Sequence, residues 1–600
     1  MITMVRNVSR WFKVNRFMGK CTVIGVLLAF VAVACLGQLA SVQLLNGKST
    51  AQAATASRTK TVTISAKRGK ILDTNGAVLA QSVERYNVVA DPELAQTFVP
   101  TDCTEKTVGN CQQIDGQPVG TTGAAAVARL LAPILGMDAK ELGALLSGTG
   151  QYVVLKKEVT PEVMRSIDDL GLNGCVYGEL SSERLYSNGT LMGALLGGVN
   201  DEGAGVAGIE QMQNAVLTGT DGYKKYERGG EGVEIPGTVT ESKYAVDGSD
   251  VELTIDANVD WYVKKVLSDA KEQYKADWAI AVVQDVQNGQ ILALEDTDQY
   301  EAGSDDAKLN TSRAVSQTFE PGSIGKVFSM AGMLQSGAHQ LTDQFTVPGT
   351  ITKNGQTFKD ATQHGDEHWT LAGILEQSSN VGMVMAGENF SNEQRYEFLS
   401  KFGIGQDGLG LPGESDGVLT SAASWDGRTQ NTVLFGQGYA TNALQVTNAI
   451  ATIANKGVKQ QQSIIKSVTD ANGHTEDAKT GEPTRVIDEQ VASQMMNAME
   501  SSAEHYSKFA GVDGYRVAAK SGTAEVAGSD GRLTSIISDW SGIIPADNPR
   551  FVVTVVMKDP QGSYGGLTSG PVFKQISEFL MQKYEVPAST PRTDAIAVTW

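Results

Sequence analysis

Six hundred residues exceed what one hydrophobic core usually covers, so two or more domains are expected. A composition of 41% apolar and 20% charged residues argues against wholesale disorder. The formal charge is −19, and Arg6, Arg10, Lys13, Arg16 and Lys20 give the first twenty residues +5. The remainder therefore carries −24, which argues against a nucleic-acid partner because phosphate binding needs a basic face.

The basic segment 1–20 precedes a mostly apolar run, Cys21 to Leu45, long enough to cross a bilayer with some tilt. Positive residues before it predict that end inside, in the cytoplasm, and the following 555 residues outside. The rival reading is a cleaved signal peptide, supported by Ala32-Val-Ala34-Cys35, which loosely resembles a cleavage or lipoprotein site. That site lies inside the apolar stretch, and signal h-regions are shorter, so an uncleaved anchor is expected. Of five cysteines, Cys21 and Cys35 lie in this run. Outside it, Cys103 and Cys111 either close a small disulfide loop or stay as two thiols in a loose loop.

After a polar linker, Asn46 to about Arg58, the stretch "TVTISAKRGKILDTNGAVLAQSVERYNVVADP" reads as strands broken by an Asn75-Gly76 turn. Residues 101–125 read as a surface loop, and 123–148 and 160–171 have helical spacing. Gly203, Gly205 and Gly208 match a bare GxGxxG, but no strand enters them within a βαβ unit, so a backbone-shaping role is expected. A composition shift at Asp247-Gly248 opens a second domain. "VELTID" reads as a strand and "DWYVKKVLSDAKEQYK" as an amphipathic helix. "AIAVVQDVQNGQILALED" is a hairpin turning at Asn288-Gly289. "DWSGIIPADNPRFVVTVVMKDP" repeats that pattern, and "GPVFKQISEFLMQKYE" is a closing helix. Helical segments near 323–336, 370–390, 393–403 and 443–456 fill the middle. Strands at both ends with helices between predict an α+β fold with one antiparallel sheet covered by helices. Val586 to Trp600 reads as a loose tail. No Cys/His spacing predicts zinc, and His364 and His368 are expected to be solvated loop histidines. No cofactor is expected.

"EPGSIGKVFS", Glu320 to Ser329, admits two chemistries. A phosphate loop needs Gly at 320 and Ser or Thr at 327, where Glu320 and Val327 stand. The alternative is a serine nucleophile. Pro321-Gly322 suits entry into a helix, which places Ser323 in the first turn and Lys326, three residues on, over the same face. Lysine acts as a base for serine only when burial or nearby positive charge lowers its pKa.

Ser-x-x-Lys alone is common. Here it is followed by Ser378-Ser379-Asn380 and Lys520-Ser521-Gly522-Thr523. The three in this order resemble the motifs of the penicillin-recognising serine acyltransferases. "RGKILDTNGAVLA", "GVAGIEQ", "DVELTID", "NGQILAL", "SSNVGM", "FGIGQ", "LFGQGYATNALQ", "KSGTAE" and "GPVFK" resemble class B penicillin-binding proteins, from the anchor to about residue 585. The resemblance implies a cytoplasmic segment 1–20, an anchor 21–45, an elongated β-rich pedestal (the family's dimerisation-like domain) 46–245, a β-lactamase-like transpeptidase domain 246–585 and a tail 586–600. It further implies a D,D-transpeptidase of the bacterial cell membrane that cross-links peptidoglycan, with a cell-division role favoured over elongation.

By resemblance, Ser323 is acylated by the penultimate D-alanine of a stem peptide, and Lys326 is its base. Ser378 relays a proton to the leaving amine, and Asn380 holds Lys326 and the substrate amide. Lys520 supplies positive charge, while Ser521, Gly522 and Thr523 bind substrate. Thr523 would hydrogen-bond the substrate carboxylate, and Gly522, lacking Cβ, would let a substrate strand lie close. The backbone N–H groups of Ser323 and Thr523 form the oxyanion hole. β-Lactams acylate the same serine. Arg68 and Glu210 are candidates for structural ion pairs. Nothing resembles a glycosyltransferase domain, so the implied partners are a SEDS-type glycosyltransferase and other divisome membrane proteins. Ile324-Gly325 stands where the family commonly has Thr-Phe, and that glycine is read as loosening the turn or making room for a particular stem peptide. A carboxypeptidase or β-lactamase using the same site is the main alternative, weakened because no Glu-x-x-Leu-Asn segment lies between Ser378 and Lys520. A non-catalytic β-lactam sensor or division scaffold would be favoured by a missing motif residue, and none is missing.

Overall fold

The computed structural model describes residues 16–41, 48, 51, 55, 56 and 58–600, apart from 108–110, 173, 230–233, 299, 407, 528–532 and 563. Most of the basic segment 1–20, the end of the apolar run and most of the linker 46–58 lie outside them.

Arg16–Ala40 is one α-helix, and its stretch Met18–Ala40 has a mean hydropathy of 2.5. Twenty-five residues rise about 37 Å at 1.5 Å each, enough for a bilayer core of about 30 Å. Leu27, Leu28, Phe30 and Val33 are exposed on it, the pattern of a helix whose solvent is lipid.

The chain forms two compact units. One comprises residues up to 65, 87–179 and 221–245. It contains the helices Gly123–Leu135, Ala139–Leu146 and Pro161–Asp168, and an antiparallel sheet of Thr59–Ile64, Gly222–Glu227 and Glu241–Lys243. Cys103 and Cys111 are disulfide-bonded in it, which closes the question their spacing leaves open.

The second unit comprises 66–86, 180–220 and 246–600. Ile71–Leu72 pairs parallel with Asp250–Leu253, which joins residues 66–86 to the later chain. Beside this pairing Glu210, fully buried, accepts from Arg68 at 2.7 Å and Arg184 at 2.8 Å, so the expected ion pair is a triad.

Its main sheet has five strands: β1 (Trp278–Asp285), β2 (Ile291–Asp296), β3 (Ala518–Ala527), β4 (Leu533–Ile544) and β5 (Phe551–Lys558). Their order is β2-β1-β5-β4-β3, antiparallel throughout, so chain-distant hairpins meet at β1 and β5 and β3 forms one edge. Seven helices matter here: α1 (Ala257–Tyr274), α2 (Gly325–Gln335), α3 (Leu371–Glu376), α4 (Asn380–Ala386), α5 (Ala443–Ala454), α6 (Glu489–His505) and α7 (Gly565–Lys583). Alternation along β1 sends Ala279, Ala281 and Val283 into the core shared with α1 and α7, and Ile280 and Val282 into the core shared with α2, α5 and α6. Each large apolar side chain buried in these cores contributes about 1.5–3 kcal/mol relative to exposure.

Two expectations fail. Residues 370–390 are not one helix: α3 and α4 are separated at Ser378, whose φ of 57° no continuing helix tolerates. The tail is not loose. Val598 and Ala597 carbonyls accept from the Thr370 backbone (3.0 Å) and hydroxyl (2.8 Å), and Arg592 pairs with Glu504 at 2.9 Å. Trp600 stacks edge-on to His368. The tail is held by backbone bonds and ion pairs, and these leave no periodicity in the sequence.

Candidate active site

The turn Glu320–Ile324 is fixed from three sides before any chemistry is considered. Phe319 and Thr441 exchange backbone hydrogen bonds at 2.8 Å, and Glu320 accepts from the Gly438 N–H at 2.8 Å. Gly322 adopts φ 49°, and a Cβ there would come within 2.9–3.2 Å of the Thr523 backbone. A Cβ on Gly436 would lie 1.7 Å from the Gly322 carbonyl. Backbone thus lies directly against backbone around the serine. Ser323 itself sits in a 3₁₀ turn, Gly322–Ile324, that leads into α2, so it precedes the α-helix by two residues.

Lys326, fully buried in the first turn of α2, places its Nζ 2.6 Å from Ser323 Oγ. The same nitrogen donates to the Ser378 carbonyl (2.8 Å) and hydroxyl (3.2 Å). Lys520 Nζ, also fully buried, donates to Ser378 Oγ and to the Ser521 carbonyl, both at 3.0 Å. Ser378 therefore bridges two buried lysines, and its strained backbone between α3 and α4 is what aims its carbonyl and hydroxyl at them. Burial, then the Lys520 charge, hold the Lys326 amine well below the ordinary lysine range, against the opposite pull of Asp360. Burial lowers Lys520 to about 7, with Asp539 working the other way. In its neutral form Lys326 has a lone pair to accept the Ser323 proton.

Three carried-over roles do not match the geometry. The Asn380 amide donates to the Lys359 carbonyl at 3.2 Å, not to Lys326, because the α4 N-terminus is pinned by Asp360. The space beside Gly522 does not face an open edge: a Cβ there would meet Asp539 Oδ1 at 1.9 Å and the Pro321 carbonyl at 2.8 Å. Glycine at 522 lets the strand press on the nucleophile turn. The Thr523 hydroxyl accepts from the Gly565 N–H at the start of α7 (3.3 Å) and donates to the Gly522 carbonyl. Ser521 is buried, with its carbonyl taken by Lys520.

Gly325 has a different explanation from either expected one. A Cβ would lie 2.4 Å from both Gly436 Cα and the Tyr439 hydroxyl, so the glycine accommodates that segment. Sequence reasoning also missed Asp360. One oxygen accepts from the Asn380 and Val381 N–H groups and the other from Ser379 Oγ, capping α4. His364 pairs with Asp360 at 2.9 Å and packs at a tilt against Trp369, so it is not a solvated loop histidine. Burial lowers its pKa, but hydrogen bonds to Asp360 and the Gly365 carbonyl, with the Asp360 charge, raise it overall. Asp360 lies twenty residues before Asn380 with no spacing that a pattern could detect.

Residues 279–578 match the family described as "Penicillin binding protein transpeptidase domain", and 63–253 match "Penicillin-binding Protein dimerisation domain". The chain is 32% identical to the penicillin-binding protein PbpB of Mycolicibacterium smegmatis, over 87% of this chain and 84% of that one. The chain belongs to the class B penicillin-binding proteins. This class B chain is also 29% identical to the Escherichia coli peptidoglycan D,D-transpeptidase FtsI, over 94% of its own length and 90% of the relative's. A solved peptidoglycan synthetase from Bifidobacterium adolescentis shares 71% identity and superposes with a TM-score of 0.75, covering 90% of this chain and 100% of that one.

Proposed function

We propose that this class B penicillin-binding protein is a membrane-anchored serine D,D-transpeptidase that cross-links peptidoglycan stem peptides during cell division. The observation that carries the reading is the 2.6 Å contact between Ser323 Oγ and a buried Lys326 amine, with Ser378 shared between that amine and Lys520. Ser323 Oγ attacks the carbonyl carbon of the penultimate D-alanine while its proton passes to Lys326. The developing oxyanion is held by the backbone N–H groups of Ser323 and Thr523. The C–N bond breaks, the proton returns through Ser378 to the leaving nitrogen, and D-alanine departs. An amine of a neighbouring stem peptide then attacks the ester, restores Ser323 and forms the cross-link. Lys520 supplies positive charge for the substrate carboxylate, and the backbone edge of β3 from Ser521 to Thr523 takes the substrate, with Gly522 serving to seat that strand against the nucleophile turn. Asn380 reaches the substrate amide from the α4 N-terminus.

The proposed organisation places the anchor at 21–45 with its basic end in the cytoplasm, the pedestal at 46–245 and the transpeptidase domain at 246–585. A SEDS-type glycosyltransferase among divisome partners would supply glycan strands. β-Lactams would acylate Ser323 as mimics of the D-Ala-D-Ala end. Labelling with a fluorescent penicillin is expected for wild type and absent for Ser323→Ala; equal labelling of both refutes the nucleophile. Incubation with lipid-linked precursor and a polymerase partner should then yield cross-linked product. Release of D-alanine without cross-links would instead identify a carboxypeptidase.

A further inference from the structure

The sheet face beneath the nucleophile turn holds an acid that the chemistry above leaves unused. Gly522 is directly opposed to Asp539 in the β3–β4 pair, and Lys520 to Ser541. Opposed residues share a face, as do residues two apart, so the Asp539 carboxylate and the Lys520 side chain lie on the same face. Asp539 Oδ1 occupies the space over Gly522, 1.9 Å from where a Cβ would stand, against the turn that carries Ser323. The residue is 1% exposed, and neither oxygen has a hydrogen-bond partner among the described residues. A buried carboxylate in that state is tolerated only if a nearby positive charge compensates it or it carries a proton.

The charge that acts on Asp539 is Lys520 on β3, whose charge also acts on Lys326 on α2, while Glu320 on the nucleophile turn and Asp539 both act on Tyr439, on the segment after Gly436. The Tyr439 hydroxyl is buried and likewise without a partner among the described residues. Burial, then the charges of Glu320 and Asp539, push its pKa up, which keeps it neutral. Ser541 and Thr554 satisfy each other at 2.8 Å. Burial holds the Asp539 carboxyl well above the usual carboxylate range, and the Lys520 charge is the main pull back towards ionisation; burial lowers Lys520 to about 7, and Asp539 in its ionised form resists that loss of the proton.

Resting on the acyl-transfer reading, we propose that Asp539 is a positioning residue for that reaction, holding the Lys520 ammonium in its charged form from behind β3. It thereby sets the pH range in which Lys326 is the base and Lys520 the cation. Neither residue leaves the site; the carboxylate acts through the lysine and touches no substrate.

The test uses the full chain in detergent micelles and the rate constant for acylation of Ser323 by a fluorescent penicillin, followed from acid to alkaline pH. In Asp539→Asn the alkaline limb should move to lower pH by about one unit or more, as expected for losing one opposite charge at close range. Asp539→Ser, smaller and also neutral, should move it the same way and decides the matter if the asparagine variant does not fold. A folded variant whose alkaline limb superimposes on that of wild type overturns the proposal, and so does a uniformly lower rate with an unmoved limb. If wild type itself is not acylated at Ser323, the acyl-transfer reading fails first and this proposal falls with it.

Discussion

Replacing Gly325 by alanine sets helix propensity against packing. The backbone at Gly325 is ordinary α-helix, φ −59° and ψ −21°, so no conformational need for glycine exists there. Propensity alone therefore predicts stabilisation by about 1 kcal/mol. The added methyl would, however, stand 2.4 Å from Gly436 Cα and from the Tyr439 hydroxyl, and 2.9 Å from Gly436 N. Gly436 cannot retreat freely, since it presses on the Gly322 carbonyl, and Tyr439 is buried. Overpacking of this kind costs about 1–3 kcal/mol, so the net expectation is destabilisation by up to about 2 kcal/mol. The displaced turn carries Ser323, so penicillin acylation should slow by about tenfold or more. Thermal melting and acylation rates of Gly325→Ala, Tyr439→Phe and the double variant form a cycle. Tyr439→Phe removes the hydroxyl and should recover part of the loss. A Gly325→Ala protein that melts higher than wild type and acylates normally would refute the packing explanation.

Asp360→Asn should destabilise by about 1–3 kcal/mol, because the α4 N-terminus and Ser379 lose a charged acceptor, and acylation should slow with it; melting and labelling rates check both. His364 has a raised pKa in the folded state, so its contribution is full below its unfolded value of about 6.5 and disappears as pH rises through the folded one. Melting temperatures across that window should show this slope in wild type and lose it in Asp360→Asn. Deleting Ala597–Trp600 should remove the acceptors of the Thr370 backbone and hydroxyl and lower stability by about 1–3 kcal/mol, read by melting and by slower labelling. Cys103→Ser with Cys111→Ser should cost about 2–3 kcal/mol in the compact unit that holds the bridge while leaving penicillin labelling unchanged.

The antiparallel sheet was readable because β1 and β2 are continuous apolar runs joined at Asn288-Gly289, and its closing helix has a clear apolar periodicity. The Ser323–Lys326 contact follows from helical spacing, and the three motifs meet as their resemblance implied. What escaped is what depends on long-range approach. Gly325 and Gly522 are glycines for lack of space against Gly436, Tyr439, Pro321 and Asp539, none of them a sequence neighbour. Asp360 acts across a loop, and the break at Ser378 interrupts an otherwise helical pattern. The tail is docked through its backbone, which no side-chain pattern records.

The glycines packed around Ser323 also bear on how this site can change under selection. At Gly322, Gly325, Gly436 and Gly522 any side chain would collide with the structure that holds the serine, in all four cases with backbone at 2.9 Å or closer. Substitutions there would disable the cell-wall enzyme along with the drug target. Substitutions that weaken β-lactam acylation while keeping activity are therefore expected at positions away from this ring. An inhibitor that draws its affinity from the backbone between Gly322 and Thr523 would leave the bacterium few escape routes.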